Sequence, residues 1–208
     1  MIRKIVTNIF SNREILSEES FYRFTEKKKI VTYVPEEFAD KLITEMSKAG
    51  AGKIGNYEMC SFRMTGTGTY KPLKNANPFK GKKFKISAEE ESRIEMEFDT
   101  GKLNPVLDVM LKHHPYEEAA YEIYNFLKRD KKSSGILITF KSGISLQELI
   151  KRINRKIIFT GEDDGVLIDK IAVTNSDADK NLIMSAKIFE CNCLITGSNK
   201  YYKLYKLS

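Results

Sequence analysis

The sequence predicts an α+β fold in which a split β-α-β domain is followed by a smaller, partial α/β layered domain. Three observations lead to this prediction: a strand signal followed at once by a proline-started helix, further segments in which apolar and charged residues alternate, and a second run of strand and helix signals beyond a charged segment. The 208 residues are enough for two domains of about 100 residues each. We place an N-terminal segment at 1–28, the first domain at 29–127 and the second at 134–208.

The first domain is predicted to begin with a strand and a helix. Lys29–Val34 is rich in β-branched and aromatic residues, which is typical of a strand. Pro35 then begins a helix, whose first turn carries two glutamates and whose end is marked by Gly50. Ahead of the domain, Ser17–Phe24 is predicted to form one or two helical turns, too few for a domain of its own.

The middle of this domain is predicted to consist of strands and a long loop. Gly52–Tyr70 is rich in Gly, Thr, Tyr and Phe, and we interpret it as strands joined by a tight bend at Thr65–Gly68. Lys71–Lys85 contains two prolines and is predicted to be a long loop. Arg93–Phe98 alternates apolar and charged residues, as a half-buried strand does.

A second helix and a further strand complete the domain. Asn104 is a suitable N-cap and Pro105 a suitable first residue for the helix. Tyr121–Phe126 then alternates like a strand, so the element order is the split β-α-β plan with an extra hairpin segment. Lys128–Gly135 is charged and rich in small residues, and we interpret it as the linker between the domains.

The second domain alternates strands and helices, which predicts a layered α/β unit. Ser145 and Glu148 form a capping box at the start of its first helix. The other predicted elements are strands at Ile136–Phe140, Lys156–Thr160, Leu167–Thr174 and Cys193–Thr196, and a helix from Ala178 to Glu190. The tail, Lys200–Ser208, has no room for a further strand and helix pair, so we expect residues of the N-terminus or of another chain to complete the sheet.

Composition narrows the class of protein. The chain is 41% hydrophobic and 30% charged, no apolar run approaches the roughly 18 residues of a membrane span, and the N-terminus has no apolar stretch of signal-peptide length. The three cysteines, Cys60, Cys191 and Cys193, are too few for a disulfide framework and are expected to be buried reduced thiols. We therefore expect a soluble, cytoplasmic protein that does not bind a membrane.

The formal net charge of +7 is carried by clustered lysines. The clusters lie at 27–29, 80–85, 128–132 and 200–206. A positive surplus attracts nucleic acid and acidic ligands, but these clusters fall in loops and at element ends and contain no nucleic-acid-binding motif. We expect no nucleic-acid partner.

Seven segments of the first domain form a specific series. They are Tyr33–Glu37, Ala49–Tyr57, Cys60–Phe62, Gly66–Tyr70, Ala76–Gly81, Glu91–Glu95 and His114–Glu118. In this order they resemble the inserted domain of the Nif-three-like dinuclear-metal family, whose members are often named type-two GTP cyclohydrolase homologues. The resemblance covers roughly residues 29–126. It implies a ferredoxin-like domain similar to those of the PII and CutA proteins, and hence a homo-oligomer, with a trimer as the first expectation.

The second domain resembles the second half of the same family more weakly. Ser145–Leu149 is similar to the start of a family helix, and Asp169–Val173 and Leu194–Gly197 are similar to two family strands. The chain has Thr174–Asp179 where relatives have a glycine- and serine-rich turn, and Asn199–Tyr202 where they have a histidine and an aspartate. The resemblance therefore does not extend to a backbone cradle for an anion.

The metal ligands implied by the resemblance are missing from the expected places. In the family, two metals are held by residues of an N-terminal segment and by a histidine and a glutamate near the C-terminus, whereas residues 1–28 contain no histidine and the whole sequence contains two. A dinuclear hydrolytic centre needs several carboxylate and imidazole ligands to hold both ions and to lower the pKa of a bridging water. We predict no catalytic residue, no cofactor and no metal site. The alternative is a divalent metal cofactor, for which the candidate ligands are His113, His114 and Glu118.

Ten polar residues form the predicted ligand site. The resembling segments hold more polar residues than a self-contained fold needs, so we expect these residues to line a groove at a trimer interface that binds a small molecule or an ion. They are Asn56, Tyr57, Cys60, Ser61, Thr67, Thr69, Arg93, Glu95, His114 and Glu117. The alternative is that they hydrogen-bond the 71–85 loop and the subunit contacts. Cys60 has no base near it in sequence, so it is not assigned as a nucleophile.

These observations predict a non-catalytic member of the Nif-three-like family that acts as a binding or regulatory oligomeric module. The alternative is a metal-dependent hydrolase-like protein, a GTP cyclohydrolase type 2 homologue, whose site is completed by another chain.

Overall fold

The computed structural model of the chain describes residues 9–11, 13–153, 156–197 and 202–207. Its strands are β1 Ile15–Pro35, β2 Phe62–Tyr70, β3 Ser87–Asp99, β4 Tyr121–Ile144, β5 Ile157–Thr160, β6 Ile168–Thr174, β7 Cys193–Gly197 and β8 Tyr202–Lys206. Its helices are α1 Glu36–Lys48, α2 Leu103–His113, which follows a 3-10 turn at Thr100–Lys102, α3 Leu146–Ile153 and α4 Lys180–Ile188. The predicted mixture of strands and helices is confirmed. The chain divides into two compact units, 26–127 and 1–25 with 128–208, which are described separately.

The unit of residues 26–127 has the element order β1-α1-β2-β3-α2-β4 and the strand order β2-β3-β1-β4. This is the split β-α-β arrangement. Strand β3 is antiparallel to both β1 and β2, and Arg93 stands opposite Tyr33 on one side and Met64 on the other. Residues directly opposite each other share a face of the sheet, so the register decides which side chains meet.

One face of this sheet packs against the two helices. Alternate residues of β1 and β3 project towards the helices, and α1 contributes residues three or four positions apart, which lie on one side of a helix. The buried core consists of Ile30, Val34, Ala39, Leu42, Ile43, Met46, Ala51, Ile94, Met96, Phe98, Val106 and Met110. Helix α1 begins directly after Pro35 and is followed by Gly50 at φ +113°, as the sequence predicts.

Two local predictions in the first half of the chain are wrong. Ser17–Phe24 is not helical but lies in β1, where Phe21 is fully buried, because long-range packing outweighs the local preference of a serine- and glutamate-rich segment. Thr65–Gly68 is not a bend but the interior of β2. Glycine at position 68 has another consequence: it leaves room for the Glu91 carboxylate on the neighbouring strand, whose Oε2 would lie 2.1 Å from an added Cβ.

The predicted linker is also wrong as a structural element. Lys128–Gly135 lies within β4, and Ser134 at its end accepts a hydrogen bond from the Thr174 hydroxyl at 2.6 Å. A strand places successive side chains on opposite sides, so a charged segment remains compatible with a strand when its side chains are exposed. Most residues of this segment are exposed.

The unit of residues 1–25 and 128–208 contains a sheet with the order β1-β4-β6-β7-β8-β5. Strand β6 is antiparallel to β4 and parallel to β7, and β8 is antiparallel to β7 and parallel to β5. The tail contains a strand, β8, without a helix beside it in the described residues, so it does not supply the strand and helix pair for which no room was predicted. Of the two predicted ways to complete the sheet, the described part shows the first, because Ile15–Thr25 belongs to β1 beside β4.

Helices α3 and α4 of this unit are capped by side chains. The Glu148 amide donates to Oγ of Ser145 at 3.2 Å, which is half of the predicted capping box. The Glu148 carboxylate instead accepts from Arg152 at 2.7 Å. At the start of α4 the Leu182 amide donates to Asp179 at 2.9 Å. Two buried clusters line the sheet, one around Leu149, Ile171 and Leu204 and one around Phe21, Leu182 and Leu194.

The cysteines are free. Cys191 and Cys193 are buried as predicted, and burial raises the pKa of each thiol to about 12, whereas Cys60 is only half-buried. In the part of the chain that the structure describes, no helix combines the length and the apolar character that crossing a membrane requires.

Candidate ligand-binding groove

The unit of residues 26–127 contains a groove of about 710 Å³. Three parts of the chain line it: the paired strands β1, β2 and β3, the 71–85 loop, and the turn after α2. The lining residues are Tyr33, Met64–Leu73, Ala76, Pro78, Phe79, Glu91, Arg93, Tyr116, Glu117, Glu118 and Ala120. Aromatic rings, prolines and glycines make up much of this surface.

Glycines of β2 make room for the groove on the sheet. Gly66 stands opposite Glu91 and Gly68 opposite Glu89, and residues 66 and 68 face the same side of the strand. A Cβ on Gly66 would meet no atom within 4 Å. The sheet is therefore open to a ligand beside Gly66.

The 71–85 loop forms one wall and is held by its own contacts. The Tyr70 hydroxyl donates to the Lys80 carbonyl at 2.8 Å, and the Phe84 amide donates to the carbonyl of buried Pro72 at 2.7 Å. Phe79 packs edge-on against Phe38 of α1 with ring centroids 5.6 Å apart. The loop lines the groove without filling it.

His114 holds the turn that forms the opposite wall. Its Nδ1 accepts from the Tyr116 amide at 3.1 Å, so Nε2 carries the proton and donates to the Tyr33 carbonyl at 2.9 Å. His114 is 8% exposed, and this burial lowers its pKa, while the bond to the Tyr33 carbonyl acts in the opposite direction. The imidazole therefore joins the turn to β1 as a neutral group.

Tyr116 projects from this turn into the groove. Its hydroxyl donates to Oε1 of Glu91 at 2.8 Å, and its ring lies near those of Tyr70 and Phe79, with centroids 6.3 and 6.1 Å away. Burial, and then the hydrogen bond to Glu91, raises the pKa of Tyr116 well above its usual value. The phenol remains protonated, and three aromatic rings gather at one end of the groove.

Arg93 lies in the groove and already forms an ion pair within the protein. Its guanidinium contacts the Glu95 carboxylate at 2.9 Å and donates to the Tyr33 hydroxyl at 2.6 Å. Lys29 also binds Glu95 at 2.8 Å, and these two hydrogen bonds, that of Lys29 first, lower the pKa of Glu95. Arg93 therefore has limited capacity to attract a further anion.

The structure brings together only part of the predicted site. Thr67, Thr69, Arg93 and Glu117 line the groove. Glu95 and His114 are not in the lining but bind residues that are, since Glu95 pairs with Arg93 and His114 accepts from the Tyr116 amide. Four further predicted residues, Asn56, Tyr57, Cys60 and Ser61, lie outside the lining, in the chain between α1 and β2, and Tyr57 is 75% exposed.

Sequence reasoning missed the residues that shape the groove most. They are Tyr33, Gly66, Tyr70, Phe79, Glu91 and Tyr116. All six lie within the segments of the family resemblance, so that series already contained the signal. The predicted set selected polar residues and passed over the aromatic residues and the glycine.

The candidate metal ligands do not converge. Nδ1 of His113 bonds the Val109 carbonyl at 3.0 Å, His114 is bonded at both ring nitrogens, and Glu118 lies on the groove. Among the described residues no group of three or more His, Cys, Asp or Glu side chains has an arrangement that holds a metal. The sequence departure at 199–201 lies outside the described residues.

The fold and the groove define a mixed α/β protein whose split β-α-β unit carries a site of small-molecule size. No family model matches the chain. It is 33% identical over 179 residues to a GTP cyclohydrolase 1 type 2 homolog of Halalkalibacterium halodurans, covering 84% of this chain and 48% of that protein. It is 34% identical over 175 residues to the homolog of Bacillus subtilis, covering 82% of this chain and 47% of that protein.

The chain belongs to the Nif-three-like family of GTP cyclohydrolase 1 type 2 homologues, which confirms the resemblance, and it spans about half the length of the curated relatives it matches. Among solved structures it is similar to a Bacillus cereus protein related to NIF3, at 23% identity and a TM-score of 0.47, covering 99% of this chain and 58% of that one. It is also similar to CutA from Synechococcus elongatus, at 14% identity and a TM-score of 0.38, covering 54% and 84% of the two chains.

Proposed function

We propose that this chain is a cytoplasmic, oligomeric binding module that holds a small molecule in the groove and performs no catalysis of its own. It consists of a PII/CutA-like ferredoxin domain at 29–127 and a partial α/β domain at 134–208, with an N-terminal segment at 1–28. The observation that carries the proposal is the groove of about 710 Å³ in the first of these domains. Sites for small molecules commonly measure about 300–1,000 Å³ and combine an apolar lining with a few polar groups, as this groove does.

The polar groups support binding rather than chemistry. A general base or nucleophile must be free to contact the reacting atom. His114 is bonded at both ring nitrogens, the Tyr116 hydroxyl donates to Glu91, and Arg93 is paired with Glu95. These groups shape and hold the groove.

Oligomerisation is proposed on the apolar residues of β2. Phe62 and Met64 share the groove face of the sheet and are 59% and 52% exposed, and β2 ends the strand order of its unit. Exposed apolar residues on an edge strand are a common subunit contact. We expect light scattering to give three times the chain mass of 23.9 kDa, and Phe62→Glu to lower it. A monomer for the unaltered chain at micromolar concentration would contradict the trimer.

The relatives are named GTP cyclohydrolase 1 type 2 homologs, which supports a hydrolase as the second candidate. In this candidate the hydrolase is metal-dependent and another chain completes its site. Elemental analysis of the purified chain separates the two candidates. About two metal ions per chain that resist a chelator would replace the binding-module proposal with the second candidate. Metal below about one ion in ten chains is the expected result under the proposal.

Filling the groove tests the binding proposal. Gly66→Val adds three carbons where a Cβ meets no atom, and valine is favoured in strands, so the variant is expected to fold as stably as the parent. We expect at least one of three flat bicyclic probes, cationic N-methylquinolinium, neutral quinoline or anionic 2-naphthoate, to bind saturably. Equilibrium dialysis should show that Gly66→Val weakens this binding about tenfold or more, because the added side chain occupies the ligand's space.

Gly101→Val is the matched control. Gly101 is also exposed, has no atom within 4 Å of an added Cβ, and lies in the 3-10 turn away from the groove. Binding should be unchanged in this variant. If neither variant alters the binding of any probe, the groove is not the binding site.

A further inference from the structure

Glu91 is a carboxylate in the groove without a cationic partner among the described residues. It accepts a hydrogen bond from Tyr116, but no lysine, arginine or histidine nitrogen of the described chain lies within 4 Å of it. The neighbouring carboxylates on β3 differ, since Glu89 is paired with Lys80 and Glu95 with Lys29 and Arg93. Of the three carboxylates Glu89, Glu91 and Glu95, Glu91 is thus the one without an ion-pair partner in the described chain.

The sheet places this carboxylate on the ligand side of the groove. Glu91 stands opposite Gly66, and its Oε2 lies against Gly68, where a Cβ would be only 2.1 Å away. Glu91 is also half-buried. A charge that is partly shielded from water interacts more strongly with an opposite charge than an exposed one does.

The rings beside Glu91 complement a cation. Tyr116 lies between Tyr70 and Phe79, and both phenol hydroxyls already donate within the protein, to Lys80 and to Glu91. What these side chains offer a ligand is therefore mainly ring surface. The negative face of an aromatic ring attracts cations, and flat ligands also gain from ring stacking.

The lysine nearest the rings is already paired with a carboxylate: the Lys80 ammonium lies 5.9 Å from the Phe79 ring centroid and 3.7 Å from Glu89. Arg93 shares the Glu95 carboxylate with Lys29 and lies over the Tyr33 ring, 5.5 Å from its centroid. Glu117 and Glu118 add two further carboxylates to the lining, against the exposed side chain of Lys71. The lining holds three carboxylates, Glu91, Glu117 and Glu118, and two cations, Arg93 and Lys71, so its net formal charge is negative.

We infer that the groove binds a flat organic cation, such as a protonated or quaternised nitrogen heterocycle, with its charge beside Glu91 and its ring against Tyr70, Phe79 and Tyr116. This inference rests on the proposed binding function and adds the ligand's chemical class. The carboxylate selects the charge, and the three rings select a flat apolar body. Because Gly66 has no side chain, it leaves space for the ligand beside the carboxylate and the rings.

The three bicyclic probes test the inference, because they have similar size but differ in charge. We expect N-methylquinolinium to bind about tenfold more tightly than quinoline or 2-naphthoate in equilibrium dialysis at neutral pH. Glu91→Gln keeps an oxygen that can accept from Tyr116 and removes the charge, so it should reduce the ratio of N-methylquinolinium affinity to quinoline affinity to about twofold. Glu89→Gln is the matched control. It should keep the tenfold higher affinity for N-methylquinolinium over quinoline, because Glu89 does not line the groove.

A second measurement does not depend on a variant. At about 1 M salt, charges are screened beyond about 3 Å. Under these conditions the affinity of the unaltered chain for N-methylquinolinium should fall close to its affinity for quinoline. Equal binding of all three probes, with loss in Gly66→Val, would overturn the charge inference and leave the binding function standing. Preference for 2-naphthoate would overturn it too and point to Arg93. If no probe binds at millimolar concentration, both proposals fail.

Discussion

Gly52→Ala is expected to reduce the free energy of unfolding by about 2–5 kcal/mol, of which about 1–2 comes from the left-handed backbone and about 1–3 from overpacking. Gly52 has φ +70°, and an added Cβ would lie 2.6 Å from Cε of Met96 and 2.8 Å from the Cys60 carbonyl oxygen. Its amide also donates to the Glu97 carbonyl at 2.7 Å, so the backbone is held against β3 and cannot withdraw easily. Urea denaturation followed by circular dichroism measures the loss.

Gly55→Ala separates the two causes. Gly55 has φ +60°, but an added Cβ there would meet no atom within 4 Å. This variant should lose only the backbone contribution, about 1–2 kcal/mol. Equal losses at positions 52 and 55 would show that Met96 and Cys60 move aside without cost.

His114→Ala is expected to destabilise the protein by about 3 kcal/mol, because it empties a buried position and leaves two backbone groups without partners. Those groups are the Tyr33 carbonyl and the Tyr116 amide. His113→Ala is the control: this side chain is half-buried and bonds only the Val109 carbonyl, so its loss should cost less than about 1 kcal/mol. Similar losses for the two histidines would contradict the role of His114 as the anchor of the turn.

The contribution of His114 should also depend on pH. Burial lowers its pKa in the folded state below 6.5, so between the two pKa values the unfolded chain binds more protons than the folded one. The stability it contributes is therefore complete above about pH 6.5 and is lost as the pH falls towards the folded pKa. Urea denaturation between neutral and acidic pH should show a steeper decrease for the parent than for His114→Ala.

Helix positions were predictable because their signals are local. A proline restricts its own backbone and favours the first helical turn, and α1 begins at Glu36, directly after Pro35. The second helix begins at Leu103 after Lys102, so Asn104 is not its N-cap as predicted and Pro105 lies in its first turn. The bend predicted at the glycines of β2 is wrong because a glycine is compatible either with a tight bend or with the close approach of another group to the backbone. Only the pairing with β3, which brings the Glu91 carboxylate against Gly68, decides between these meanings.

The groove was less predictable than the fold. Tyr70, Phe79 and Tyr116 are distant in sequence, and no periodicity links them. They meet because Tyr70 ends β2, Phe79 lies on the following loop, and His114 binds the turn of Tyr116 to β1. Polarity alone selected Asn56 and Tyr57, which lie outside the groove, because an exposed polar residue looks the same in sequence whether or not it borders a site.

The amino-acid sequence by itself determined the family, the mixed α/β class and the places of the four described helices to within a few residues, since each depends on residue identity within short segments. The tertiary structure decided that the charged segment at 128–135 is a strand and that Glu91 lies beside Tyr116 with no ion-pair partner among the described residues. Strand register and burial set both outcomes. Register and burial depend on contacts between residues far apart in the chain, and no short segment contains both partners of such a contact.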